Sequence, residues 1–535
     1  MQQSHFPIRE IGMTETEGPI LLTEEDRESH TEILGTTGEG KSKLLELEIA
    51  QDLKAFLKHP DKYNCAVALL DPSNRGDTMN NVLNHCIKQG FERVCLIDLS
   101  DVFSEHKTPI PILNPIHYKA PVGADAGNFM EVVRSTWATE SWAQTSIIEQ
   151  YLPSVIACLH SSDRPLFDSI SLTAKDEPRY LKVRDELIGQ MKTEYPYLQY
   201  NVALKNIFAS KNPKVYEAFA TTARRLNPLY VEPLGYMICK SEPAINFYDL
   251  IANNWLILVN LYRGGLYDRA QQTYLGSMVV NEIVRAVNRL RNNKWKGRCY
   301  LYVDEAGQFT TESVADVLTY ERKSGLILTL SHQLYGQFKQ EDIRATVEGL
   351  TKIKVLFNVP RTEDSERMAK MMYGGDINPA DAAYVARQLK KQYAIIKNNK
   401  RPPRSFNVTD IKTPQVSEKI RFSFKEKIYS NPWYMSLEHA KGEINNKFGK
   451  PTKSKFMGGQ PERTAGVHST SVEPERPDDG NPVVKTEPAQ SSGRNRVVHA
   501  EPQKESIVSS VVRRRKQDDA AVEGGIVEGD TPKEE

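Results

Sequence analysis

Two periodicities alternate along the first hundred residues: short, wholly apolar runs, and longer stretches where apolar side chains recur every three or four positions. Thr31 to Leu34 reads as a short buried strand and Lys43 to Leu57 as the helix after it. Ala66-Val67-Ala68-Leu69-Leu70 is a continuous apolar run closed by Asp71-Pro72, the pattern of a parallel strand buried on both faces and its turn. A helix over about 77 to 89 and a second buried strand, Val94 to Leu99, follow. This alternation predicts an α/β fold: a doubly wound, mostly parallel sheet with helices on both faces. Upstream, Pro19-Ile20-Leu21-Leu22 suits an edge strand, and residues 1–19 read as a loose arm with few structural signals.

The pattern then changes. From about 124 to 240 it is helical, as in Trp142, Ile148, Leu152, Val155, Ile156 and Leu159, with Pro153 expected to kink the helix. This predicts an all-α domain inserted into the sheet domain. The sheet resumes with Asn254 to Leu261, before an amphipathic helix marked by Leu275, Met278, Val279, Ile283, Val287 and Leu290. Cys299 to Glu305 is an apolar strand ending in two acids; a helix over about 311–323 and the strand Leu326 to Ser331 come next. The last strand candidates are Ile353 to Val359 and Tyr393 to Ile396, and residues 400–445 are expected to pack back on the core. The expected organisation is an arm (1–19), a sheet domain in two parts (20–123 and 241–446), a helical insertion (124–240) and a tail (447–535).

Composition sharpens the two ends of this picture. No Leu follows Leu437 and no Trp or Tyr follows Tyr434. A segment so poor in apolar groups cannot offset its ordering entropy, so the tail is expected to be disordered. Within it, Arg513-Arg514-Arg515-Lys516 suits either a solvated charge run or a contact with nucleic acid or a partner. Lys+Arg 70 against Asp+Glu 69 means that any nucleic-acid surface must be a local patch. The six cysteines lack Cys-x-x-Cys spacing and several sit in apolar runs, as expected of buried reduced thiols. No apolar run approaches the roughly 18 residues that span a bilayer, so a cytoplasmic protein without direct membrane insertion is expected.

The chemistry concentrates in a few positions. Gly35-Thr36-Thr37-Gly38-Glu39-Gly40-Lys41-Ser42, followed by Lys43, satisfies the phosphate-binding pattern Gly-x4-Gly-Lys-Ser/Thr between a strand and a helix. Such a loop aims backbone N–H groups and a helix N-terminus at phosphates. Lys41 is expected to reach the β- and γ-phosphates of a nucleoside triphosphate, most naturally ATP, and Ser42 to ligate Mg2+. Asp304 at the end of its strand suits Mg2+ as well, and Glu305 suits orienting or deprotonating an attacking water. Ser331-His332-Gln333 ends the following strand, where Gln333 suits a γ-phosphate or its water. Arg322 suits either a solvated helix end or an arginine finger reaching a neighbouring subunit's phosphate.

Further blocks fall in sequence with these: Leu70-Asp71-Pro72 with Gly76-Asp77, Ile112-Leu113-Asn114-Pro115, Ile257 to Leu261 with Gly264-Gly265, and Glu321 to Leu326. Together with His30 to Gly38, Tyr302 to Glu305 and Thr329 to Gln333, they resemble the HerA/FtsK superfamily of ring-forming, DNA-pumping P-loop (RecA-like) ATPases. The similarity is greatest to its TraG/TraD branch, the type IV secretion coupling proteins, and spans about 20 to 410. It implies a hexamer around DNA, ATP bound between subunits, Arg322 supplied in trans and Gln333 linking hydrolysis to movement. It also implies a relaxase and membrane secretion-channel proteins as partners. Two departures stand out. Coupling proteins usually begin with transmembrane helices, whereas this sequence reaches its phosphate loop without one, which suggests a soluble, membrane-free version or one recruited by a separate membrane partner. Glu39 places an acid where a small residue is usual, expected to weaken anion binding if its carboxylate faces inward.

The leading expectation is therefore an ATP-driven DNA translocase of conjugative transfer. A HerA-like repair helicase, a secretion-channel assembly ATPase and a nucleotide-gated adaptor for secretion substrates remain as alternatives.

Overall fold

The computed structural model describes residues 8–58, 63–73, 76–105, 107–117, 120–137, 146–173, 178–196, 224–319, 325–374, 378–398 and 401–449. All lie within the first of two units, Met1–Pro451, into which the chain divides. The tail from 450 onward, with its basic cluster, lies outside the described residues.

An eleven-stranded sheet organises the molecule. Its strands are β1 (Arg9–Met13), β2 (Pro19–Leu22), β3 (Thr31–Leu34), β4 (Cys65–Asp71), β5 (Val94–Ile97), β7 (Leu256–Asn260), β8 (Arg298–Val303), β9 (Leu326–His332), β10 (Ile353–Leu356), β11 (Tyr393–Asn398) and β12 (Arg404–Val408). Two short strands, β6 (Ile110–Pro111) and β13 (Tyr434–Met435), pair separately. The order is β2-β1-β12-β11-β10-β3-β9-β8-β4-β7-β5. From β10 to β5 all neighbours are parallel, and β11, β12, β1 and β2 extend the sheet antiparallel. The mostly parallel α/β sheet expected from the apolar runs is thus present, with β2 at one edge, as expected, and β5 at the other.

The period-two pattern explains why both faces are covered. Ala66, Ala68 and Leu70 of β4, with Leu301 and Val303 of β8, face one apolar cluster. Their alternates Val67, Leu69, Tyr300 and Tyr302 face another. On the second face lie helices α1 (Lys41–Lys58) and α2 (Asp77–Gln89), through residues such as Leu44, Ile49, Met79 and Val82. On the first lie the long helix Arg269–Asn292 and the helices α3 (Val122–Trp137) and α4 (Ser146–Ser161). Burial on both faces is what makes the strands wholly apolar. The helix α4 runs through Pro153 with Leu152, Val155, Ile156 and Leu159 buried; Trp142 lies outside the described residues. Residues 401–449 pack back as expected, with Phe406, Ile428, Met435 and Phe448 buried.

One expectation needs correcting. Arg9–Met13 lies within the stretch read as a loose arm, yet it is a sheet strand paired to β12 and β2. The physical reason is a buried charge cluster invisible to local patterning. Arg9 donates to Glu48 at 2.7 Å and to Asp52, both on α1, and Arg27 donates to Asp52 at 2.6 Å. The six cysteines are all free and buried. No described helix is long and apolar enough to cross a membrane.

Candidate functional site

Strand order assembles the site. The phosphate loop follows β3, Asp304 and Glu305 follow β8, and Gln333 follows β9, which lies between them in parallel register. All three loops therefore leave the carboxyl edge of adjacent strands, where open parallel sheets carry their ligands. The loops converge on a cavity of about 950 Å3 lined by Lys41, Ser42, Asp304, Glu305 and Gln333, among others.

The loop is held by backbone bonds on both sides: Gly35 N donates to His332 O (3.2 Å) and Thr36 N to Asn358 O (3.1 Å). Glycine is required at two positions for steric reasons. A Cβ on Gly35 would meet Phe357 Cβ at 2.6 Å, and Gly40 has φ +124 and lies against Phe357 and Gln392. Lys41 begins α1 and turns its Nζ back onto Gly35 O (2.6 Å) and Thr36 O (3.1 Å). Burial lowers the ammonium's pKa, against the opposing pull of Asp304, Glu305 and Glu39. Glu39 is half-buried, and its carbonyl accepts the N–H of Gln392 at 2.8 Å. Thr37, Gly38 and Lys43 line the cavity, and Lys43 Nζ pairs with Glu46 at 2.9 Å.

Asp304 is buried and fully engaged. Its Oδ1 accepts from Ser331 Oγ at 2.8 Å, and its Oδ2 lies 3.3 Å from Ser42 Oγ. Burial pushes its carboxyl up to about 6, with Lys41 and Ser331 pulling the other way. A hydroxyl and a carboxylate converging at the loop's end form an oxygen donor pair suited to Mg2+, which takes few protein ligands beside phosphate and water. Glu305 adopts a left-handed backbone (φ +53), costly for a non-glycine residue and concentrated at functional sites. Its two carboxylate oxygens accept from the side-chain amides of Gln333 and of Gln337, the latter at 2.6 Å.

Beneath the loop, Glu32 accepts from Lys354 Nζ (2.6 Å) and pairs with His332 Nε2 (3.1 Å). Burial raises its pKa, but Lys354 and His332 outweigh that and hold it at about 2. This cluster ties β3, β9 and β10 together immediately behind the loop.

The structure thus brings together Lys41, Ser42, Asp304, Glu305 and Gln333. Arg322 lies outside the described residues. Sequence reasoning missed Gln337, whose signal was a second amide four residues after Gln333. It also missed Lys391 and Gln392, which line the cavity from the turn before β11 and carry no local motif.

A phosphate loop opening a helix, with an acid pair one strand removed, defines a P-loop NTPase fold. No protein-family model and no curated protein sequence matches the chain. Solved structures do. The unbound monoclinic form of the bacterial conjugative coupling protein TrwBdeltaN70 aligns with a TM-score of 0.52 at 15% identity, over 76% of this chain and 90% of that one. The plasmid coupling protein TrwB in complex with ADP and Mg2+ aligns at 0.51 and 14% identity, over 81% of this chain and 93% of that one. The same protein with the GTP analogue GDPNP aligns at 0.50 and 15%, over 77% and 92%. The chain shares the fold of the conjugative coupling proteins.

Proposed function

We propose that this chain is an ATP-hydrolysing DNA translocase acting as a coupling-protein-like motor in conjugative transfer or type IV secretion. One observation carries the hydrolytic half of this reading: Lys41, Ser42, Asp304, Glu305 and Gln333 surround one cavity. The likeness to coupling-protein structures, two of them holding a nucleotide, supports the motor half.

In this reading the loop backbone and Lys41 bind the phosphates, with Lys41 exchanging its loop carbonyls for phosphate oxygens. Ser42 and Asp304 hold Mg2+, which when bound supplies positive charge against the phosphate oxygens. Ser331 fixes the Asp304 carboxylate for that task. Glu305 orients the attacking water and takes its proton, a role that suits a carboxylate held on the cavity wall. Gln333 bridges Glu305 and the phosphate end of the site, where a change at the γ-phosphate alters the loop after β9. A hexamer, with Arg322 completing a neighbour's site, belongs to the same proposal, as do DNA in the central pore, a relaxase and membrane channel proteins as partners, and a cytoplasmic location.

The test is a translocation assay. Purified protein with ATP and Mg2+ is expected to displace a triplex-forming strand from duplex DNA or to strip a bound protein from single-stranded DNA. Hydrolysis at the same rate with and without DNA, and no displacement, would count against a motor.

A further inference from the structure

We infer that Gln337 is a positioning residue for hydrolysis, holding the Glu305 carboxylate in the plane from which it handles water. The inference rests on the reading of Glu305 given above and concerns a residue to which the phosphate-loop chemistry assigns no task.

Three observations carry it. First, the two oxygens of Glu305 are shared out: Oε1 takes the amide of Gln333 and Oε2 that of Gln337, at 2.6 Å. One donor on each oxygen fixes the torsion and the plane of a carboxylate that one donor alone would leave free to swing. Both donors are neutral amides, which hold the carboxylate through hydrogen bonds alone.

Second, the direction of the Gln337 amide is determined. Its Oε1 accepts the backbone N–H of Gln333 (2.8 Å) and of Leu334 (3.2 Å). Only an oxygen can accept those two donors, so Nε2 is the end that faces Glu305. Gln337 therefore fixes the carboxylate and, at the same time, the backbone that carries Gln333.

Third, the loop is built to hold Gln337 there. The 3-10 turn Tyr335–Gln337 folds the chain back over Gln333. Gly307, two residues after Glu305, lets it approach: a Cβ there would meet Gln337 C at 2.7 Å and Phe338 N at 2.9 Å. Beyond the turn, Lys339 donates to Ser135 O (2.8 Å) and Thr136 O (3.2 Å) near the end of α3, anchoring the loop from the other side.

Two substitutions separate positioning from mere loop architecture. Gln337→Leu removes both sets of hydrogen bonds. Gln337→Glu keeps an acceptor for Gln333 N and Leu334 N, while replacing the donor to Glu305 with a carboxylate oxygen that sets a like charge against it. Steady-state ATP hydrolysis, nucleotide affinity and thermal unfolding are measured for both. The expected result is a kcat lowered roughly tenfold or more in each variant, with KM changed less than about twofold, the mark of an interaction that acts in the transition state. Gln337→Glu at the wild-type rate would overturn the inference and leave Gln337 a loop-forming residue. A wild-type chain that hydrolyses no ATP would instead overturn the functional reading beneath it, and the inference with it.

Discussion

Ser42 Oγ and Asp304 Oδ2 lie 3.3 Å apart although 262 positions separate them. Two strands, β3 and β8, deliver them to one edge across β9, and Ser331 at the end of β9 holds the other oxygen of Asp304. The pair forms an oxygen site on the cavity wall. Chelation of Mg2+ is expected to stop hydrolysis. Ser42→Ala should raise the Mg2+ concentration for half-maximal rate roughly tenfold, in line with losing one direct ligand. A titration of rate against Mg2+ that superposes on the wild type would remove Ser42 from the site.

Glu305→Gln keeps the shape of the side chain and one of the two oxygens that accept from Gln333 and Gln337, while removing the base. Turnover should fall by roughly 100-fold or more, with ATP affinity within about threefold of wild type, since the carboxylate binds no phosphate. Equilibrium binding of a fluorescent ATP analogue beside single-turnover hydrolysis checks this. Unchanged turnover would assign the base elsewhere.

The first strand offers a test of stability. Arg9 is buried against Glu48 and Asp52 on the helix that the phosphate loop opens. Arg9→Met leaves Glu48 without its cation and Asp52 with Arg27 alone, and breaking such a pair costs about 3 kcal/mol or more. Urea unfolding should show the loss. A variant as stable as the wild type would show that β1 contributes little.

His30, just before β3, offers a test by pH. Its Nδ1 accepts the N–H of Leu328 at 3.0 Å, and its Nε2 is buried without a hydrogen-bond partner. Burial, reinforced by Lys352, lowers its pKa from 6.5 to about 4. The unfolded chain therefore binds the proton first as pH falls, so stability is full above pH 6.5 and declines towards pH 4. At about 1.4 kcal/mol per unit the decline attributable to His30 is up to about 3 kcal/mol. His30→Asn keeps an acceptor for Leu328 and does not titrate, so the difference between variant and wild-type stabilities should change over this interval. A constant difference from pH 4 to 6.5 would contradict the assignment.

How much of this was legible in the sequence follows from how local each signal is. The apolar runs at Ala66–Leu70 and Cys299–Val303 declare strands buried on both faces, and Gly35–Ser42 declares a phosphate-loop pattern through its spacing. Asp304 and Glu305 were readable because a strand ends on them. The β1 strand was not, because its reason lies in Glu48 and Asp52, some forty residues away on another element. Gln337 was missed for a similar reason. Its value lies in a turn that brings its amide back to Glu305, and nothing in Leu334-Tyr335-Gly336 announces that turn. Lys391 and Gln392 reach the cavity only through the order of strands, with β10 pairing to β3 and β11 to β10.

The central claim is that Lys41 and its loop bind and spend a nucleoside triphosphate. Steady-state phosphate release from ATP, with wild-type protein and Lys41→Ala side by side and with DNA present, tests it most directly. DNA-stimulated release is expected from the wild type and none above background from the variant, whose thermal unfolding stays near that of the wild type because the Lys41 ammonium donates to loop carbonyls rather than tying separate elements together. Equal release from the two proteins would contradict it.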